Sequence, residues 1–368
     1  MTTGEEATSR NVLKGPVQAG GSDLDGSKSE GLVGRRQFVA LAGKGLCAGA
    51  LLGSPAYLAG SVAGGAPTAP RPIGSGRSGK RDEAAKLARV SILTWGFSTM
   101  MKLPGVAPNP QRTLALFDLP EMFADRYGVH MIEPQDVMFE STEISYLKEF
   151  RSRVEKAKSR VNQIDLEFGP LTFSSPNPVD RWRAVDLTKQ WIDHALVLGC
   201  GRVLVNQGYL TREGRAYSNA ALKVMSDYGK SKGVKVAMEP RGAGRPPGKK
   251  HAPQNATPWA PNGTLELMYD AIKATGAYSN IDIGNMDVHS QQEEQEHIHQ
   301  LLPFTNGEMH IKLARGLNGK PAAWNLPETL RYIVKTGYSG IFAVEEPGPP
   351  PTPYNLTKEV IEAYLANT

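Results

Sequence analysis

Cysteine is nearly missing from this chain. Cys47 and Cys200 are the two in 368 residues, and Cys47 falls in a leader-like segment, so no disulfide framework is available. A long uninterrupted apolar run is missing too. The most apolar stretch, residues 38–53, is broken by Lys44 and several glycines, which makes it too short and too weak for a stable membrane anchor. Gly45-Leu46 precede Cys47, without the small residue that a lipoprotein signal needs just before its cysteine. Charge of one sign is not in excess. Lys and Arg number 42 against 37 Asp and Glu, a net +5, with no dense basic stripe to track a phosphate backbone, so nucleic acid is not an expected partner. No glycine-rich phosphate loop follows the first apolar run after residue 90, which disfavours an open doubly wound sheet.

The N-terminal region is the first feature that is present. Residues 1–30 are rich in Gly, Ser and charge without periodicity, a composition that stays disordered. Then comes Gly34-Arg35-Arg36-Gln37-Phe38-Val39-Ala40-Leu41. Two adjacent arginines before a moderately apolar run resemble a twin-arginine export signal. Ser61-Val62-Ala63 supplies a small-residue cleavage site. The expectation is a signal region over 1–63, a disordered linker over 64–88, and export through the twin-arginine (Tat) machinery to the periplasm or outside the cell. A basic tail on a cytosolic enzyme is the alternative.

From residue 90 short apolar runs alternate with longer helical patterns. The runs are 90–94, 129–133, 161–168, 202–206, 234–239, 279–282, 308–312 and 341–345. Residues 180–198 give the clearest helical spacing between them. Thr264 is expected to cap a helix bearing Leu265, Met268 and Ile272, and Pro327 to open another. Eight βα units in about 280 residues predict an α/β fold, a (β/α)8 TIM barrel over 89–368. Two connections, 95–112 and 240–263, are unusually long, and both fall where such barrels build their sites.

Four late strands end in metal-competent side chains: Glu239, Asp282, His310 and Glu345. A carboxylate closing an apolar strand is costly unless paired or metal-bound. Neighbouring strands lie about 4.8 Å apart, so the four can converge on one ion. Three carboxylates and an imidazole suit Mn2+ first, with Mg2+, Co2+ or Zn2+ as alternatives. Such an ion polarises a carbonyl and stabilises an enediolate, which points to proton transfer next to the carbonyl of a sugar.

The phrases Ile132-Glu133, Met238-Glu239-Pro240-Arg241, Ile281-Asp282-Ile283-Gly284-Asn285, Met309-His310-Ile311-Lys312 and Gly337-Tyr338-Ser339-Gly340 running into Val344-Glu345-Glu346 together resemble the xylose-isomerase-like barrel superfamily of sugar isomerases and epimerases. The resemblance implies Glu239, Asp282, His310 and Glu345 as metal ligands, with Glu239 and Glu345 doubling as the acid/base pair on the two faces of the substrate. Two positions depart from the pattern: Asn285 stands where epimerases have His, and Leu313 follows Lys312 where Asp is frequent. The superfamily's apurinic endonuclease branch needs several more histidines than this site offers.

Further expectations attach to single residues. Lys312 is a catalytic partner to a substrate oxygen, or structural. Glu133 is a substrate carboxylate, a carboxylate behind the ligands, or half of a barrel ion pair. Arg241, Asn285 and Asn206 are substrate contacts, and Trp95 stacks on a sugar ring or packs in the core. The activity expected is a divalent-metal-dependent sugar isomerase or epimerase acting on a small carbohydrate. The alternatives are a 3-keto-glycoside lyase or hydrolase and a non-catalytic sugar-binding protein. The resemblance leaves room for a homo-oligomer.

Overall fold

The computed structural model describes residues 75–205, 207–240, 261–286, 288–314 and 322–368. The expected signal region 1–63, residues 64–74, Asn206 and the 241–260 segment with Arg241 lie outside them.

Among the described residues one all-parallel sheet holds β1 (Val90–Leu93), β2 (Met131–Glu133), β3 (Arg160–Val161), β4 (Ile164–Leu166), β5 (Arg202–Val205), β6 (Lys235–Met238), β7 (Tyr278–Asp282), β8 (Thr305–Ile311) and β9 (Ile341–Val344). The order is β3-β2-β1-β9-β8-β7-β6-β5-β4. Its two ends, β3 and β4, are adjacent in the chain. β3 pairs with β2 and β4 with β5. A bridge between Gln135 and Asp165 and the Asp165 N to Pro134 O bond of 3.0 Å join the seam. The expected single run 161–168 is therefore one barrel strand that changes partner midway, as the stagger of a closing sheet demands. The fold is the TIM barrel.

Helices cover the outside: α1 (Ser75–Leu87), α2 (Leu119–Tyr127), α3 (Ile144–Lys156), α4 (Pro178–Leu198), α5 (Arg215–Lys232), α6 (Pro261–Thr275), α7 (Gln291–Leu301), α8 (Leu326–Lys335) and α9 (Pro353–Asn367). α4 matches the predicted 180–198 closely. Asn177 caps it by accepting from Val179 N at 3.0 Å, and Gly199, in the left-handed region at φ 73°, ends it. Asn325 caps α8 through Glu328 N at 2.9 Å, leaving Pro327 in the first turn. α6 begins at Pro261, so Thr264 is inside the first turn rather than at the cap. Residues 75–87, expected to end the linker, are helical instead. Tyr364 OH donates to Lys86 O at 3.3 Å and Lys86 Nζ to Leu365 O at 3.0 Å, docking α1 on α9.

The strands' apolar residues fill the space between sheet and helices, with Ile92, Ile132, Val203, Val236, Ile281, Met309 and Phe342 all buried. Between α3 and α4, Phe139 packs edge-on against Phe150 and Trp191, centroids 5.4 and 5.2 Å apart. No helix of the described residues is long and apolar enough to cross a membrane.

Candidate metal centre and active-site cavity

Strand alternation places every second residue on one side of the sheet. On β8 this puts Glu308 and His310 together, and on β7 Asn280 and Asp282. Register then sets Asp282 beside His310, and Glu239 and Glu345 each follow directly after β6 and β9. The four expected ligands do converge. One donor atom from each of Glu239, Asp282, His310 and Glu345 lies within 4.8 Å of all the others. Two atoms on opposite sides of one divalent cation stand about 4–5 Å apart, so the spread fits a single ion. Glu346, the neighbour that competes with Glu345 in the sequence, turns away and accepts from Leu313 N.

His310 is the centre of the set. Its Nδ1 faces Glu239 Oε2 at 3.3 Å, Glu345 Oε2 at 3.4 Å and Asp282 Oδ2 at 3.8 Å. Although buried, this nitrogen makes no hydrogen bond. Its Nε2 lies 3.2 Å from both oxygens of Glu133. A carboxylate behind an imidazole is how metal-binding histidines are oriented and made more basic. Glu133 is thus the carboxylate behind the ligands. It is fully buried and is not among the residues that line the cavity. Gln163 steadies it, Nε2 to Oε1 at 2.7 Å, and ties it to Asn280 and Asn306 in a polar layer beneath the site.

Lys312 does not line the cavity either. Its Nζ bonds Asp282 Oδ2 at 2.9 Å and Glu345 Oε2 at 2.8 Å, and lies 3.4 Å from Asn285 Oδ1. Both bonds run to carboxylates of the candidate cluster, the arrangement of the structural alternative. Gly284 permits this, since a Cβ there would overlap the Lys312 stem. Gly284 N in turn holds Asp282 Oδ1 at 2.9 Å. Gln207 donates to the Glu239 carbonyl and fixes the end of β6.

The electrostatics follow from burial and these pairs. Burial raises the Asp282 carboxyl, with Lys312 opposing. Burial would also raise Glu345, but the Lys312 charge and the His310 contact outweigh it and hold that carboxyl well below its usual range. His310 is driven upward: burial lowers it, yet Glu133, Asp282 and Glu239 overcome that. Three carboxylates of the cluster and Glu133 thus crowd around His310 and Lys312. A divalent cation among the ligands would supply the missing positive charge and use the unbonded Nδ1. The donor set therefore fits a metal ion.

A cavity of about 510 Å³ opens above the cluster, lined by Glu239, His310, Glu345 and Asn285 on one side and Leu93, Trp95, Gln135, Val137, Asp165, Glu167 and Gly169 on the other. Asn285 and Trp95 thus stand where substrate contacts were expected. Trp95 is 39% exposed on the wall rather than packed in the core. Asn206 and Arg241 lie outside the described residues. Gln135, Gln163, Asp165 and Glu167 were not anticipated. A signal existed for two of them: Ile164-Asp165-Leu166-Glu167 carries the same apolar and acidic alternation as the late strands.

A family model described as xylose isomerase-like TIM barrel matches residues 123–365. No curated protein matches the chain. Solved structures similar to it include the 3-keto-D-glucoside 4-epimerase of E. coli (11% identity, TM-score 0.56, 76% of this chain and 99% of that one). Another is the D-allulose 3-epimerase of Methylomonas sp. in complex with D-allulose (14%, 0.54, 76% and 97%). A third is a xylose isomerase-like TIM barrel protein of Mycobacterium smegmatis in complex with magnesium (16%, 0.54, 77% and 98%). With a closed parallel barrel, a ligand set at its mouth and a family match over most of that barrel, the chain belongs to the xylose isomerase-like TIM barrel family.

Proposed function

We propose that the protein is a divalent-metal-dependent sugar isomerase or epimerase that moves a proton at a carbon next to a carbonyl. The observation that carries this reading is that Glu239 and Glu345 belong to one metal-competent cluster and also line one cavity. The epimerases among the similar structures support it. Glu239, Asp282, His310 and Glu345 would hold the cation, Mn2+ first, which when bound polarises the substrate carbonyl and stabilises negative charge on its oxygen.

The chain's own residues then have defined tasks. One of Glu239 and Glu345 takes the proton as the C–H bond breaks, the C–H electron pair forms the new C=C bond, and the carbonyl π pair moves onto its oxygen. The other carboxylate, protonated beforehand, gives its proton to the opposite face, which inverts the carbon, or the proton taken goes to the neighbouring carbon while that carbon's hydroxyl proton passes to the former carbonyl oxygen, which moves the carbonyl. Lys312 keeps Glu345 ionised and oriented. Glu133 holds His310. Asn285 offers an amide to a substrate hydroxyl.

A second reading is favoured by the cavity's extent beyond the ligand side and by the 3-keto-D-glucoside 4-epimerase likeness. It is lyase or hydrolase action on a 3-keto-glycoside. The same proton is taken from C2, but the electron pair forms C1=C2 and expels the glycosidic oxygen, which leaves with a proton. The two separate in D2O with the Mn2+-loaded protein. Deuterium entering the product ketose supports isomerisation or epimerisation, and release of the aglycone supports elimination. Neither event, in wild type with metal added, would overturn both and leave a sugar-binding protein. Export by the Tat route is proposed with them. Arg35→Lys with Arg36→Lys is expected to keep the protein in the cytoplasm, and unchanged export would reject that route.

A further inference from the structure

A TIM barrel ordinarily fills its interior with branched apolar side chains. Beneath the candidate metal centre this barrel instead buries Glu133, Gln163, Asn280 and Asn306, each fully. Apolar packing would fill the same space without the burial cost of polar groups. We infer that Asn306 and Gln163 are positioning residues which, acting through Glu133, dictate which ring nitrogen of His310 carries a proton and which is left for a cation. This deepens the proposed function. It rests on that reading only in taking Glu239, Asp282, His310 and Glu345 as the holders of a divalent cation.

The chain of bonds starts at a donor that cannot be reversed. Glu308 N donates to Asn306 Oδ1 at 2.9 Å. A backbone N–H only donates, so the Asn306 amide cannot be turned round. Its Nδ2 must then donate to Gln163 Oε1, at 2.5 Å. That fixes the second amide in turn. Gln163 Nε2 donates to Glu133 Oε1 at 2.7 Å and to Asn280 Oδ1 at 3.2 Å. Glu133, as a carboxylate, accepts. His310 Nε2 lies 3.2 Å from both its oxygens and is the donor to them. The other ring nitrogen, Nδ1, makes no hydrogen bond and faces Glu239, Glu345 and Asp282. A backbone N–H two amides away thus selects Nδ1 as the ligating atom.

The foot of the chain is clamped as well. Arg202 Nε and Lys235 Nζ, from β5 and β6, donate to Asn306 O at 3.1 and 2.8 Å. A layer that only filled space would not need each donor and acceptor to point the same way along it. Reversing either amide would set acceptor against acceptor or donor against donor, which is costly in a buried site. Loss of one link would let Glu133 turn away from His310. Removing a group that orients a metal-binding histidine typically weakens metal binding 10–100-fold. Gln163 and Asn306 act one and two bonds behind that group, so the lower end of this range is expected for them.

Two readouts on the full chain test this, and neither is turnover. Long-range proton–nitrogen NMR of the Zn2+-loaded wild type should show the His310 proton on Nε2 and the metal on Nδ1. Calorimetric Mn2+ titration should show binding weakened about tenfold in Gln163→Leu and in Asn306→Asp. The second variant keeps the acceptor for Glu308 N and removes only the Nδ2 donor. Thr329→Val, which breaks a buried bond between α7 and α8 instead, should leave Mn2+ affinity unchanged. In a Glu133→Gln background, Gln163→Leu should cause no further loss, because effects routed through one residue do not add. A proton on Nδ1, unchanged affinity in both variants, an equal loss in Thr329→Val, or full additivity with Glu133→Gln would each overturn the inference. Where a variant does not fold, the wild-type spectrum decides. Mn2+ binding by wild type without proton exchange would reject the isomerase reading and keep this one. Proton exchange with unaltered affinity in both variants would do the reverse.

Discussion

The two halves of the barrel mouth are built differently. On β6 to β9 the functional groups sit at strand ends, are buried or nearly so, and are cross-linked by Lys312, Gly284 and Glu133. On β1, β2 and β4 the wall mixes an exposed indole, an amide and two carboxylates, most of them just past the strand ends. The first half is fixed by Lys312 and His310 set among four carboxylates. In the second, Gln135 N donates to Thr94 Oγ1 at 3.0 Å and Gln135 Nε2 to Asp165 Oδ2 at 2.8 Å. Reaction chemistry needs the first arrangement, since donor atoms must hold their positions within a fraction of an ångström.

Substitutions should separate the halves. The largest effect is expected in the ligand half: Glu239→Gln should lower kcat by about 10²–10⁴-fold, as loss of an acid/base group does. Steady-state proton exchange checks this, and unchanged turnover would remove Glu239 from the mechanism. Chelation with EDTA should abolish exchange and lower the unfolding midpoint. Restoring Mn2+ to a hundredfold over its Kd should return about 2.7 kcal/mol of stability. Glu133→Gln, behind the ligands, should weaken Mn2+ binding about 10–100-fold without unfolding the barrel. Metal titration monitored by calorimetry reads that loss, and unaltered affinity would reduce Glu133 to a packing role.

Two smaller effects sharpen the contrast. Gly284→Ala should force Lys312 off its carboxylates and cost about 1–3 kcal/mol in urea unfolding. In the other half, burial pushes the Asp136 carboxyl up to about 7, with the Glu167 N–H opposing. The fold therefore favours its protonated form. That contribution is full below the unfolded-state value near 4 and is lost as pH rises through about 7. Asp136→Asn should match wild type at about pH 4 and exceed it by about 1–3 kcal/mol at about pH 8. A constant difference across that window would mean that Asp136 does not titrate there.

Legibility in the sequence also divides along this line. Glu239, Asp282, His310 and Glu345 stood out because each closes an apolar run, where an unpaired charge is costly. Eight runs separated by helical patterns were enough to count the barrel, though not to show that 161–168 switches partner at Asn162 and Gln163. Asp165 and Glu167 carry the same alternation but lie inside the run 161–168, which ends at Phe168 rather than at a carboxylate. Lys312 was visible as a charge on a strand, yet its partners stand 30 and 33 residues away. Residues 75–87 show little apolar periodicity, and part of what holds that helix comes from contacts with α9 at the far end of the chain.

By itself the sequence determined the strand and helix periods, the identity of the four donor side chains and the parallel barrel that they crown, because these depend on residue type and near neighbours. Only the tertiary structure decided that Glu133 backs His310, that Lys312 bonds both Asp282 and Glu345, and that Trp95, Gln135, Asp165 and Glu167 share a wall. Those facts depend on barrel closure and strand stagger, which bring distant residues together at ångström scale and which no local pattern encodes.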